Sequence, residues 1–329
     1  MATVSVAPPT SVEAEVKINP RLLRRFQPLE KRSAPATQEE RERIDLGRAL
    51  FYETRLSKEK NISCDSCHSL ANYGVDHAPK SVGHQGHVGT RNAPTVYNAA
   101  GFFALFWDGR AANVEDQAKA PLLNPTEMAM GSPLEVERTL RGIPEYRASF
   151  KKAFPGDAQP ITLENAAAAI GAFERGLVTP GRWDDFLRGD HGALSNVEQA
   201  GLKTFLDSGC MVCHTGRYLG GATFERLGVV EPWPNQSDQG RRGVTGRSED
   251  AMTFRVPSLR NVAKTAPYFH DASAATLEDA VRQMGKHQLG LELAPPEVSG
   301  IVAWLASLTG EIPVDYIARR PLAGEDGAP

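Results

Sequence analysis

The sequence lacks several features, and each absence excludes a class of protein. No run approaches the roughly 18 consecutive apolar residues that would span a bilayer, so no membrane span is expected. The formal net charge is only −3, which argues against nucleic acid as a partner. Convincing runs of alternating polar and apolar residues are also missing, so the sequence does not predict extended sheets.

Cysteine is scarce as well, since the chain has only four. All four lie in two copies of the pattern Cys-x-x-Cys-His, the attachment signature of a c-type haem. Two thiols add to the vinyl groups of one porphyrin, and the adjacent histidine ligates the iron. A redox disulfide would not need the histidine, and a zinc ribbon would need a second cysteine pair close by. The sequence therefore predicts two covalently bound haem c groups, held by Cys64, Cys67, His68, Cys210, Cys213 and His214.

The haem motifs also bear on the location of the protein. Haem is normally attached to such motifs outside the cytoplasm. Residues 1–9 have neither the basic region nor the apolar core of a secretory signal. We therefore expect a periplasmic protein whose signal sequence is absent from this chain, and this expectation comes from the cofactor.

Signals for helix starts recur along the chain. Capping boxes at 37–40 and 195–198 precede amphipathic helices that lead into the two haem motifs. Each of these helices carries a glycine at a similar place, Gly47 and Gly201, which is a weak internal repeat resembling two cytochrome c units. Further helices are predicted after Ser132, after Thr162 as far as Leu177, after Thr276 and from Pro295.

Length and repeat together predict the domain organisation. A chain of 329 residues allows two or three domains, and the two motifs indicate two. Long connections rich in glycine and proline are expected where a haem supplies the core and loops wrap around it. We predict an all-α fold of two cytochrome c-like haem domains with long irregular loops. The predicted division is a leader or linker over 1–18, an N-terminal haem domain over 19–178, a C-terminal haem domain over 179–311, and a tail over 312–329 that could pack back on the N-terminal domain.

The sixth ligand of each iron distinguishes an electron carrier from a catalyst. After Cys213 the chain has two methionines, Met252 and Met284. Met284 lies on the apolar face of a predicted helix, so periodicity alone favours a core residue. Near the first haem motif, glycines at 83, 86 and 89 would let a loop swing away from the iron and admit a substrate. The histidines close to this motif are His77, His84 and His87.

Five further segments give the chain a family resemblance. They are Arg-Asn-Ala-Pro-Thr at 91–95, Phe-Trp-Asp-Gly-Arg at 106–110, Asn-Pro-Thr-Glu-Met at 124–128, Val-Pro-Ser-Leu-Arg-Asn-Val at 256–262 and Ala-Pro-Tyr-Phe-His-Asp at 266–271. In order and spacing these segments and both haem motifs resemble the signature of bacterial di-haem cytochrome c peroxidases, from about residue 20 to about residue 310. The resemblance implies a peroxidatic haem in the N-terminal domain and an electron-transfer haem in the C-terminal domain.

The resemblance also implies roles for single residues. His84 matches the loop ligand that blocks the peroxidatic iron in resting enzymes, whereas His77 and His87 match no ligand and should be exposed. Met284 matches the distal methionine of the electron-transfer haem, which overrides its interpretation as a core residue. Trp107 matches an indole between the two haems, although a core tryptophan would be expected from the sequence alone.

Gln117 and Glu127 match the distal polar pair of the peroxide pocket. Without the resemblance, an isolated glutamine or glutamate would be expected at the surface. Splitting peroxide requires that a proton leave its inner oxygen and arrive on the outer one, so one carboxylate can act first as base and then as acid. Gln117 would hold the peroxide or its water by hydrogen bonding.

The resemblance further implies a calcium ion between the domains. Asn92 matches a ligand that binds through its side-chain amide oxygen, and Thr265 and Pro267 match ligands that bind through backbone carbonyls. Hard oxygen ligands of this kind suit Ca²⁺. From the sequence alone Asn92 is equally compatible with a turn cap.

The predicted function is the reduction of hydrogen peroxide to water with electrons from a small soluble cytochrome c or a cupredoxin. Electrons would enter at the haem of His214 and Met284, pass Trp107 and reach the haem of His68. By resemblance the protein is expected to be a homodimer.

Two alternatives remain at this point. A MauG-like di-haem oxidase acts on a protein substrate, but there a tyrosine replaces the distal methionine, and this chain has Met284. A di-haem electron carrier would need no substrate site, and the distal polar pair of Gln117 and Glu127 argues against it.

Overall fold

The computed structural model describes residues 16–320. Residues 1–15 of the predicted leader and 321–329 of the predicted tail lie outside this range. The helices in chain order are α1 Pro20–Leu23, α2 Gln38–Phe51, α3 Cys64–Cys67, α4 Val114–Leu123, α5 Pro133–Arg141, α6 Pro144–Ala153, α7 Leu163–Glu174, α8 Arg182–Leu187, α9 Asn196–Asp207, α10 Arg242–Thr245, α11 Leu277–Met284, α12 Pro295–Ser307 and α13 Val314–Ile317.

The helix starts expected from capping residues are confirmed. In α2, α5, α7, α9 and α11 the preceding serine or threonine accepts a hydrogen bond from the backbone N–H three residues later. These bonds satisfy donors that have no partner inside the helix. Helix α12 starts at Pro295, where the missing N–H of proline costs nothing. Helix α7 ends at Glu174, three residues before the predicted end at Leu177.

Two helix pairs form the cores of the two halves of the chain. Helix α2 packs on α7, and α9 packs on α12. A Cβ atom at Gly47 would overlap the carbonyl oxygen of Ala169, and one at Gly201 would overlap that of Gly300. The glycines of the predicted repeat therefore have the same purpose in both halves, because each lets the helix before a haem motif lie directly against the backbone of a later helix.

The fold is mostly helical, but the expectation of an all-α chain was not met in full. Two three-residue strands, β1 Phe224–Arg226 and β2 Thr253–Arg255, pair antiparallel with Phe224 opposite Arg255. Both lie in the connection between α9 and α11, where long irregular loops were expected. Strands of three residues are too short to produce a recognisable alternating pattern, which explains why the sequence did not reveal them.

Hydrogen bonds join the two halves near the predicted boundary. Thr179 is fully buried, and its Oγ1 accepts from the side-chain amides of both Asn98 and Asn261 at 2.9 and 2.8 Å. Asp184 is also fully buried; it pairs with Arg260 of its own half at 2.9 Å and accepts from the backbone N–H of Leu29 in the N-terminal half at 2.7 Å.

The described part of the C-terminal tail lies on helices of the N-terminal half. The ring of Tyr316 stacks on Phe173 with 5.2 Å between centroids. The hydroxyl of Tyr316 donates to the Phe173 carbonyl at 2.7 Å, and its own carbonyl accepts from Arg48 Nε at 2.8 Å. The tail thus covers the apolar ends of α2 and α7.

Candidate haem and peroxide sites

The second haem motif lies in the wall of a cavity of about 540 Å³. This volume is within the usual range for small-molecule and cofactor sites. The wall includes both cysteines of the motif, His214 and Met284, so the structure brings the predicted attachment residues and both predicted axial ligands to one cavity. The other candidate methionine, Met252, is buried in the neighbouring cluster with Trp233 and Phe254. The apolar part of the wall includes Phe205, Leu277, Val281, Ile301 and Leu305.

His214 is oriented for metal binding through one ring nitrogen. Its Nδ1 lies 3.1 Å from the carbonyl oxygen of Leu219, which leaves Nε2 for another partner. Histidine ligands in metal sites generally donate the second ring N–H in this way. Burial lowers the pKa of His214, so the ring is neutral and can ligate a metal. Burial also raises the pKa of the Cys210 thiol to about 11, and no described cysteine forms a disulfide. These residues fit a covalently attached haem.

Met284 is the last residue of α11 and is followed directly by a π-helix, Gly285–Leu289. Such wide turns are frequently found at functional sites. The Met284 side chain packs on the cluster of Trp233, Met252 and Phe254, to which Trp107 also belongs. Met284 and Trp107 therefore line the same cavity and pack on the same buried cluster.

The first haem motif forms the short helix α3, which starts with Ser63 as its N-cap. Cys64 packs against buried apolar side chains that include Phe51 and Leu70. Burial, and then the charge of Glu174, raise the pKa of the Cys64 thiol to about 12. Burial lowers the pKa of the His68 ring, while hydrogen bonding to the backbone of Gly74 and of Pro94 acts in the opposite direction. A neutral, buried imidazole can ligate a metal.

Glu127 is a half-buried carboxylate close to this motif. Its Oε1 accepts a hydrogen bond from Asn124 Nδ2 at 2.7 Å. Burial raises the pKa of Glu127, while the charge of Arg110 and the bond from Asn124 act in the opposite direction. Glu127 is also near enough for its charge to contribute to the raised pKa of Cys67. A raised carboxyl pKa beside a prosthetic group is typical of a general acid–base residue.

The loop that carries His84 is attached to the segment that carries Glu127. The backbone N–H of His84 donates to the Glu127 carbonyl at 2.8 Å. A Cβ atom at Gly83 would overlap the carbonyl oxygen of Thr126, so only glycine permits this close approach. His77 and His87 are exposed, as expected, and their Nδ1 atoms lie near the carbonyls of Ala266 and His84 at 3.1 and 2.6 Å.

Gln117 is half-buried on α4, and its side chain makes no hydrogen bond with residues of the described part of the chain. The structure therefore does not join Gln117 to Glu127 directly. The polar partner of Glu127 is instead Asn124, which sequence reasoning missed although it is the first residue of the Asn-Pro-Thr-Glu-Met segment.

Trp107 borders the cavity of the second haem motif and is fixed by three contacts. Its Nε1 donates to the Asn92 carbonyl at 2.9 Å, and its carbonyl accepts from the backbone N–H of Arg255 at 2.8 Å. The next residue, Asp108, is held by Arg91 at 2.6 Å. The indole is thus anchored through Nε1 at the edge of the cavity.

The three residues matched to a calcium site line one cavity wall. Asn92 Nδ2 donates to the Ala78 carbonyl at 3.0 Å, which leaves Oδ1 free. The carbonyl oxygens of Thr265 and Pro267 accept no backbone hydrogen bond from residues 16–320. Within the same range no group of three His, Cys, Asp or Glu residues could hold a metal ion, so a site here would depend on amide and carbonyl oxygens.

Two more polar residues of the cavity wall were missed from the sequence. His270 is buried, stacks on Phe254 at 4.3 Å and has no partner for Nε2 among the described residues. Arg255 is 3% exposed. His270 lies in the Ala-Pro-Tyr-Phe-His-Asp segment, which was a signal for it, whereas Arg255 lies just outside the Val-Pro-Ser-Leu-Arg-Asn-Val segment and had no signal of its own. None of the helices between residues 16 and 320 is long and apolar enough to span a membrane.

Comparison with known proteins identifies the family of this chain. Residues 41–192 match the family model of di-haem cytochrome c peroxidase. The chain is 46% identical to the cytochrome c551 peroxidase of Pseudomonas aeruginosa, over 87% of this chain and 84% of that protein. It is 44% identical to the cytochrome c551 peroxidase of Nitrosomonas europaea, over 88% and 86%. The crystal structure of a MauG-like protein associated with microbial copper homeostasis superposes with a TM-score of 0.74 and 28% identity, covering 95% of this chain and 97% of that one. With relatives this similar over most of their length, the chain belongs to the di-haem cytochrome c peroxidase family.

Proposed function

We propose that the protein reduces hydrogen peroxide to water with electrons from a small soluble cytochrome c or cupredoxin. The observation that carries this proposal is Glu127, a half-buried carboxylate of raised pKa beside the first haem motif. When bound, the two haems would relay the electrons of the donor and supply the iron at which peroxide reacts.

Glu127 handles the protons of the reaction. As a carboxylate it takes the proton from the inner oxygen of peroxide, and as a carboxylic acid it returns that proton to the outer oxygen. A raised pKa favours both steps, because the group then gains and loses a proton closer to neutral pH. Asn124 fixes the carboxylate through its bond to Oε1, and Gln117 on α4 is proposed to position the peroxide or its water.

His214 and Met284, which line one cavity, would hold the iron of the second haem between them and so leave no position for substrate. That haem would receive the electrons from the donor. Trp107 lies in the wall of the same cavity and is proposed to form the route to the first haem, which His68 ligates. We place the peroxidatic domain at 19–178 and the electron-transfer domain at 179–311.

His84 is proposed to block the first haem until the second is reduced. The backbone hydrogen bond from His84 to the Glu127 carbonyl supports this proposal, because it holds the His84 loop against the segment that carries the distal carboxylate. The proposal also includes a Ca²⁺ ion bound by Asn92, Thr265 and Pro267, a periplasmic location and a homodimer.

The MauG-like alternative is less favoured. The chain has Met284 where that enzyme has tyrosine, and it is 33% identical to the methylamine utilization protein MauG of Methylorubrum extorquens, against 46% for a cytochrome c551 peroxidase. A peroxidase oxidises two equivalents of reduced donor for each peroxide consumed. Stoichiometric assays with a reduced cytochrome c therefore separate the two functions, because an oxidase of a protein substrate would not maintain this ratio.

The first prediction concerns Glu127→Gln. The amide cannot exchange the proton, so we expect the turnover of H₂O₂ to fall by about 10²- to 10⁴-fold. Glu164→Gln on the exposed start of α7 is the matched control and should be unchanged. Equal peroxide consumption by Glu127→Gln and the wild type would instead indicate a di-haem electron carrier.

A further inference from the structure

Arg255 is the only buried arginine among residues 16–320 without a carboxylate partner. Arg48 pairs with Asp45 at 2.7 Å. Arg260 pairs with Asp184 at 2.9 Å. A buried charge is strongly unfavourable unless it is paired, so this guanidinium points to an anionic partner that the described side chains do not supply.

The contacts that Arg255 does make are weak and neutral. Its Nε donates to the Phe106 carbonyl at 3.3 Å, and its Nη1 donates to the Val256 carbonyl at 3.4 Å. The guanidinium also lies 4.6 Å from the centroid of the Phe102 ring. A guanidinium has five N–H donors, so most of them remain available. Burial lowers the pKa of Arg255 to about 10, which still leaves the group charged at neutral pH.

The location of Arg255 identifies the class of its partner. Arg255 and Phe102 lie in the wall of the same cavity as His214 and Met284. A haem has two propionate carboxylates on one edge, and the planar fork of an arginine pairs with carboxylates through two parallel hydrogen bonds. The wall also contains Glu225, which is partly exposed, and His270, whose pKa is lowered by burial so that the ring is neutral. Arg226 is in the wall as well but is exposed, so solvent screens its charge.

We propose that Arg255 binds a propionate of the second haem and raises the reduction potential of that haem. The oxidised haem carries one more positive charge than the reduced haem, so a buried cation nearby disfavours the oxidised form. Pairing with the guanidinium also keeps the propionate ionised over the physiological pH range. The inference depends on the second haem and not on peroxide as the substrate.

Redox titration of the holoenzyme, followed through the absorption of the second haem, tests this inference. In Arg255→Gln we expect the equilibrium constant for reduction to fall at least tenfold, which is 59 mV for a one-electron couple. The potential should also become more pH-dependent between about pH 5 and 8, because a buried propionate without its cation takes up a proton. Arg255→Lys keeps the charge and should stay within about threefold of the wild type.

Arg282→Gln is the matched control, since it removes the same charge from an exposed position on α11, two residues before Met284. It should leave the equilibrium constant for reduction within about threefold of the wild type.

The inference is wrong if Arg255→Gln changes neither the potential nor its pH dependence, or if Arg282→Gln lowers the potential equally. Should Arg255→Gln not yield a di-haem protein, Arg255→Lys decides, because a tenfold decrease there would contradict a role for the charge. None of these measurements uses peroxide, so they are independent of the proposed function.

Discussion

At the scale of single residues, polar groups around the haem motifs differ mainly in their partners. Glu127 is half-buried and receives one hydrogen bond, from Asn124, whereas Glu53 is more fully paired with Arg55 and Tyr146. These partners lower the pKa of Glu53 despite its burial, while burial dominates for Glu127 and raises its pKa. A carboxylate with few partners can exchange protons, and one with many partners stabilises the fold.

Asn124→Ala tests how the pKa of Glu127 is set. The bond from Asn124 favours the ionised carboxylate, so its loss should raise the pKa of Glu127 further. A base of higher pKa is protonated, and therefore inactive, at higher pH. We expect the acid limb of the pH profile of kcat/KM for H₂O₂ to move to higher pH, with a smaller change above that limb. A uniform decrease at every pH would show that Asn124 affects only the structure.

Some residues of the candidate sites could be predicted from the sequence and others could not. Glu127 and Trp107 were identified because they lie in recognisable segments, and the structure places Glu127 near the first motif and Trp107 in the wall of the second cavity. Arg255 could not be predicted as a site residue, because its burial without a partner depends on contacts with Phe102 and Phe106, which are distant in the chain. Whether Gln117 takes part in the site remains a prediction.

At the scale of elements, local signals determined the helices and close packing determined how they pair. Capping residues at 37 and 195 predicted the starts of α2 and α9 correctly, because a cap acts within four residues. The sheet of β1 and β2 was missed because its hydrogen bonds join segments that are separated by α10. A glycine in the sequence does not by itself predict close helix packing, because the partner helix must be known. At Gly47 and Gly201 the structure supplied that partner.

Gly83→Ala tests the attachment of the His84 loop to the distal segment. The new Cβ would overlap the Thr126 carbonyl oxygen and lie 2.9 Å from the Glu127 Cα, so the two segments must separate. We expect the EPR spectrum of the oxidised enzyme to lose low-spin signal from the first haem and gain high-spin signal, because His84 no longer reaches the iron.

Gly89→Ala in the same loop is the control. Its Cβ would meet only ordinary contacts, the nearest being the Ser81 carbonyl oxygen at 3.5 Å. Its EPR spectrum should match that of the wild type. An unchanged spectrum in Gly83→Ala would contradict the proposal that the loop holds His84 on the iron.

At the scale of the whole molecule, contacts between distant segments position the two sites. Arg91 bonds both Asp108 and Asp238, and so connects the Trp107 segment to the connection that carries the sheet. The tail reaches back through Tyr316 to Phe173. The sequence indicated two similar halves, but their arrangement depends on such pairs, which no local pattern reveals.

Asp184→Asn tests another contact between distant segments, the buried hydrogen bonds and ion pair of Asp184. Asp184 accepts from the backbone N–H groups of Leu29 and Gly181 at 2.7 and 2.8 Å, and it pairs with Arg260, whose side chain is 1% exposed. The amide would leave a buried guanidinium without its counter-charge, and removing one partner of a buried pair costs about 3–5 kcal/mol. We therefore expect the free energy of unfolding of the holoenzyme to decrease by about this amount in urea denaturation.

Asp207→Asn is the control. It removes an exposed i,i+4 pair with Lys203 and should lower the free energy of unfolding by about 1 kcal/mol or less. If both variants lost equally little stability, the buried pair would not hold the N-terminal segment and the C-terminal half together.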